Sequence, residues 1–196
     1  VLFDDERAHA IGTELWLAPV LAAMAQLEQG TAADYADQLQ AAMPLHGALA
    51  ALETAWWYGA AASPERATRV AVLNHLLHAL LHLDADAERD RLPLPMARLA
   101  RHGLDRAQLR KPCAPRQQAI RAQLQDLLGD WRAADALGGP LSVFRALESR
   151  QACALARRAL HADEALAVLQ ADWSRTPWST PWRAWQAARA WRRQTQ

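Results

Sequence analysis

The chain has 196 residues, 52% of them hydrophobic and 22% charged, and a formal net charge of +1. That length and apolar content support a buried core and exclude a disordered or collagenous chain. Two cysteines exclude a disulfide framework and fit a reducing compartment. A net charge near zero supplies no basic field for nucleic acid, and no apolar run reaches the roughly 18–20 residues of a spanning helix, so a cytoplasmic protein without nucleic-acid partners is expected.

Alternation of β-branched and aromatic residues is nearly absent, while Ala, Leu, Arg, Gln and Glu dominate, which favours helix throughout. A first helix is expected from about Asp5 to Leu27, bent near Pro19 and ended by Gly30. Thr31 is expected to cap a second, which Pro44 interrupts before it resumes to Gly59. Ser63-Pro64-Glu65 is a strong start signal for a third, running to about Asp86. Its Val70, Leu73, Leu76, Leu77, Leu80 and Leu81 form a broad apolar face, so it should be central, with His78 and His82 turned to a cleft. An irregular stretch, Glu88 to Pro95, precedes a short helix that Gly103 closes after His102. Further helices are expected from Pro115 to Leu137 and from Pro140 to Leu160, then a short segment from Ala162 to Asp172. The expected fold class is all-α: one helical bundle over residues 1–196, with a Trp/Arg-rich C-terminal segment at 174–196.

The third helix carries a polar stripe. Asn74, His78, His82 and Asp86 recur every four residues, and His75 lies seven before His82, two turns back on nearly the same face. Imidazoles four apart can share a metal, and the carboxylate one turn on could complete the site. The alternative is a polar strip lining a cleft, or a satisfied buried network.

Downstream, Asp84-Ala85-Asp86-Ala87-Glu88-Arg89-Asp90-Arg91-Leu92-Pro93-Leu94-Pro95 runs into Leu99-Ala100-Arg101-His102-Gly103-Leu104. This resembles the second signature of the squalene/phytoene synthase family, in which a helix bearing Gln, Asn and two Asp leads through an acidic-basic turn to Arg-x-Tyr-Leu-Pro and a short helix. Setting Leu94-Pro95 on the family's Leu-Pro places Arg91 on its arginine and Asp86 on its second aspartate. The resemblance covers roughly residues 35 to 160. It implies an all-α bundle of the isoprenoid-synthase type, truncated on its N-terminal side. It also implies prenyl diphosphates or isoprenoid lipid as ligands, with Arg91, Asp86, His82 and His78 at the substrate. In the family, magnesium ions held by two aspartate-rich motifs grip the diphosphates, so Mg2+ is the implied cofactor of an active enzyme.

The chain departs from that pattern where the chemistry is most demanding. His82, His78 and His75 stand on the family's first aspartate, its asparagine and its glutamine, and magnesium takes imidazole poorly. A one-turn slip could recruit Asp84 but breaks the match at Leu94-Pro95. The first aspartate motif has no counterpart: Asp4 and Asp5, the only adjacent acidic pair upstream of His82, fit the first turn of a helix. Either the N-terminal half lies outside this chain or the protein has lost it. Three functions stay open. One is a non-condensing relative that binds isoprenoid lipid or assists assembly. Another is a prenyltransferase with a complete site, if the upstream half exists in the natural protein or is supplied by another chain. The third is a metal-binding bundle using His75, His78, His82 and Asp86.

In the tail, Trp173, Trp178, Trp182, Trp185 and Trp191 are interleaved with Arg175, Arg183, Arg189, Arg192 and Arg193. Trp178, Trp182, Trp185 and Trp191 are expected close to one face of a helix starting about Ser179. That face could pack indoles on the bundle, lie at a membrane surface such as the inner membrane, or stack on nucleic acid, against which the low net charge argues. Trp56-Trp57-Tyr58 reads as core. Cys113 and Cys153 show no metal spacing.

Overall fold

A computed structural model describes residues 6–26, 30–173 and 180–194. Among them every regular element is helical and no strand occurs, as the residue pattern requires. The elements are α1 (Glu6–His9), α2 (Thr13–Gln26), α3 (Tyr35–Tyr58), α4 (Glu65–Leu81), α5 (Leu83–Glu88), α6 (Met96–Arg101), α7 (Arg106–Leu109), α8 (Ala114–Asp135), α9 (Val143–Leu160), α10 (Ala165–Trp173) and α11 (Thr180–Gln194). Asp4, Asp5, Arg175 and Trp178 lie outside the described residues.

Helix α4 is the axis of the bundle. Ten of its 17 residues are buried, and it packs against α3, α8, α9 and α10. Leu73, Leu76, Leu77 and Leu80 meet Ile120, Leu124 and Leu127 of α8, Leu155 of α9 and Leu169 of α10 in one core. Burying each such side chain contributes about 1.5–3 kcal/mol. Asn74, on the same helix, is also buried, and among the described residues neither its amide nitrogen nor its oxygen has a hydrogen-bond partner. It belongs to the core and not to a polar face.

Several boundaries differ from expectation for local reasons. The first helical stretch divides between α1 and α2. Helix α3 begins after Asp34, whose carboxylate accepts the Asp37 N–H at 2.9 Å, so Asp34 and not Thr31 is the cap. It then runs unbroken through Pro44. Pro44 is exposed, so water can meet the Gln40 carbonyl that the missing N–H leaves behind. Helix α7 has an N-terminal capping box between Asp105 and Gln108, a start signal carried by the residue types and their three-residue spacing.

The third expected helix does not reach Asp86 in one piece. It breaks at His82, between α4 and α5. The turn stays hydrogen-bonded, His82 N–H to the His78 carbonyl at 3.3 Å and Asp86 N–H to the His82 carbonyl at 2.9 Å. A single off-helix residue is enough to change the direction in which the next turn points.

Candidate functional site

A cavity of about 320 Å³ opens between α3, α4 and the segment 89–95. His75, Asp86 and Arg91 border it, with Gln38 and the small side chains of Ala42 and Ala79. The walls are positioned by local rules. Segment 30–34 is tied to α6, because the first N–H groups of that helix, which lacks a side-chain cap, donate to chain carbonyls: Met96 to Ala32 at 3.0 Å and Ala97 to Ala33 at 2.8 Å. Segment 89–95 is held from the other side. The Gln38 Nε2 donates to the Pro93 carbonyl at 2.8 Å, and Gln123 Nε2, fully buried on α8, donates to Gln38 Oε1 at 2.8 Å. The Arg91 N–H returns to the Asp86 carbonyl at 2.8 Å, closing the turn that brings these two residues to one opening.

The five residues singled out from the sequence therefore separate. His75, Asp86 and Arg91 share the cavity. His78 lies on the α9 and α10 side, its ring edge-on to Trp173 at 4.3 Å and its Nε2 4.0 Å from a Glu148 carboxylate oxygen. His82 is exposed at the α4–α5 break. The expectation that His78 and His82 are turned to a cleft is corrected: His78 is covered by Trp173 and Glu148 of the neighbouring helices, and no neighbour covers His82 among the described residues, so it is exposed. Among the described residues no three His, Cys, Asp or Glu side chains come together to hold a metal ion.

Asp84, which a one-turn slip would recruit, is engaged elsewhere. It pairs with the buried guanidinium of Arg116 and accepts from Gln170 Nε2 at 3.1 Å. It thereby pins α5 to α8 and α10. Nothing in the spacing of Asp84 signals these partners, which lie 32 and 86 residues away.

The electrostatics of the cavity follow from burial. Desolvation holds the His75 imidazole below its ordinary value, with His78 adding to the effect. His46, on α3, is pushed down to about 4 by burial and by its neighbours His75, Arg145 and His78. Burial lowers His78 as well, opposed by Glu148. The rings nearest the cavity are thus neutral at pH 7, and among the described residues the fixed charges at its rim are the Asp86 carboxylate and the Arg91 guanidinium. One carboxylate beside an imidazole and a guanidinium does not fit magnesium, which wants several hard oxygen ligands and is repelled by the cation. The arrangement suits an anionic head group at Arg91 with an uncharged chain laid against the alanines.

Elsewhere, Trp56 meets Trp16 edge-on at 6.0 Å and the Tyr58 hydroxyl donates to the Leu141 carbonyl at 2.7 Å, so this aromatic run joins α2 and the start of α9 to α3. No protein-family model matches the chain, and no curated protein matches it significantly.

Proposed function

We propose that the chain is a divergent relative of the squalene/phytoene synthases that binds an isoprenoid lipid or prenyl diphosphate in the α3–α4 cavity and does not condense it. The observation that supports this reading is the convergence of Asp86 and Arg91, the two charged residues matched to the family's signature, on one opening with His75 beside them. Arg91 supplies the positive charge for a diphosphate or phosphate head group. The lining of Ala42 and Ala79 leaves room for a slender apolar chain.

Condensation needs ionisation of the diphosphate, with metal ions gripped by two carboxylate clusters to carry the released charge. Among the described residues of this cavity only Asp86 is a carboxylate, and Asp84 is committed to Arg116. Loss of several kcal/mol of such stabilisation takes about tenfold from the rate for each 1.36 kcal/mol.

The test uses labelled farnesyl and geranylgeranyl diphosphate with the purified chain. Saturable binding that weakens about tenfold or more in Arg91→Ala is expected, consistent with loss of a charge-assisted contact. With magnesium or manganese present no condensed product should form. Product that disappears in Asp86→Ala would establish a prenyltransferase instead, and absence of any binding would remove the lipid reading.

A further inference from the structure

We propose that α11 is a docking surface for an anionic lipid bilayer. Helix α11 carries Arg183, Arg189, Arg192 and Arg193 and no acidic residue. The remainder of the chain holds 18 of the 22 basic residues and all 21 acidic ones, a net charge of −3, so the net positive excess lies in this element. The helix packs on α9, with half-buried Ala187 bordering one cleft between them together with Ala146 and Arg150, and half-buried Ala188 another together with Val143 and Phe144. The indoles do not face the bundle. Trp182 is 58% exposed and Trp185 47% exposed. Of the readings open for this face, packing of the indoles on the bundle does not hold for Trp182 and Trp185; the Trp191 side chain lies outside the described residues.

Water is a poor environment for two neighbouring indoles, so their exposure needs a partner that accepts both apolar rings and guanidinium groups. A membrane interface does: the amphipathic indole sits at the depth of the head groups while arginine pairs with anionic phosphate. Phe144, 72% exposed at the start of α9, adds an apolar side chain beside Ala188 and Arg192. A nucleic acid would need open ring faces for base stacking. Trp185 has none to spare, being stacked on Trp182, three residues back, at 4.8 Å and covered by the Arg189 guanidinium, four residues on, at 4.7 Å. No helix of the described residues is long and apolar enough to cross a membrane, so contact would be confined to the surface.

The experiment is co-sedimentation of the full chain, without prenyl lipid, with vesicles containing phosphatidylglycerol and with pure phosphatidylcholine vesicles, at low and high salt. Binding to the anionic vesicles that falls with salt is expected, with little binding to phosphatidylcholine. The Trp182→Ala/Trp185→Ala variant and the Arg183→Gln/Arg189→Gln/Arg193→Gln variant should each lose about tenfold or more of it. Circular dichroism checks the fold of both, and either folded variant carries the test. Absence of binding, equal binding to both vesicle types, or unchanged binding by the variants would overturn the proposal. So would release by millimolar inorganic phosphate, which marks a free-anion site, or tighter binding to a single-stranded oligonucleotide than to vesicles. Arg91→Ala should leave vesicle binding unchanged, so this result and the cavity reading fail separately.

Discussion

His46 and His75 stack face to face across the seam of α3 and α4, with ring centroids 3.9 Å apart and planes 24° from parallel. Two imidazolium rings could not occupy that geometry without strong repulsion, and burial disfavours charge on either. Because His46 titrates lower in the folded chain than in the unfolded one, the unfolded state takes up the proton first as pH falls. Its contribution is complete above pH 6.5 and is lost progressively down to about 4. Allowing for screening of these partly exposed rings, the loss should be about 1–2 kcal/mol. Urea midpoints measured from pH 7.5 to 4 should show it, and His46→Gln should flatten that part of the profile. An identical slope in wild type and variant would contradict the assignment.

Asp84→Ala should destabilise the fold by about 2–3 kcal/mol, because it leaves a buried guanidinium without its counter-charge. The Arg116 side chain is only 4% exposed, whereas Asp84 is 48% exposed, which keeps the figure below that of a fully buried pair. Denaturant unfolding measures the cost. A change under about 0.5 kcal/mol, ordinary for a surface substitution, would show that solvent compensates Arg116.

Gln38→Leu should cost about 1–3 kcal/mol by stranding the Pro93 carbonyl and the buried Gln123 amide together. It should also weaken lipid binding, since segment 89–95 carries Arg91. The double variant Gln38→Leu/Gln123→Leu should cost less than the sum of the two single variants, because each leaves the same bond broken. Strict additivity would mean that the two amides are not coupled.

Gly139→Ala should cost about 2–3 kcal/mol, from left-handed backbone strain and a steric clash. Gly139 has φ +105°, and a Cβ there would lie 2.7 Å from the Ser63 carbonyl oxygen. At neighbouring Gly138 an added Cβ meets nothing within 4 Å, so Gly138→Ala serves as the control. Equal thermal stability of the two variants would refute the close approach.

The all-α class, the central third helix and the breaks at Gly59, Gly103 and Gly138-Gly139 were legible in the sequence. They depend on apolar periodicity and on glycine stops, which act over a few residues. The sharing of one opening by Asp86 and Arg91 was half-legible, since both belong to one turn. The fate of the histidine stripe was not. His75 and His78 share the unbroken helix α4 yet meet different neighbours, His46 of α3 and Trp173 of α10, while His82 at the end of that helix meets water. The engagement of Asp84 by Arg116 and the exposure of Trp182 and Trp185 were likewise decided in three dimensions. Helical spacing places residues on a face of their own helix, but only the packing of distant helices determines whether that face meets a partner, a cavity or water.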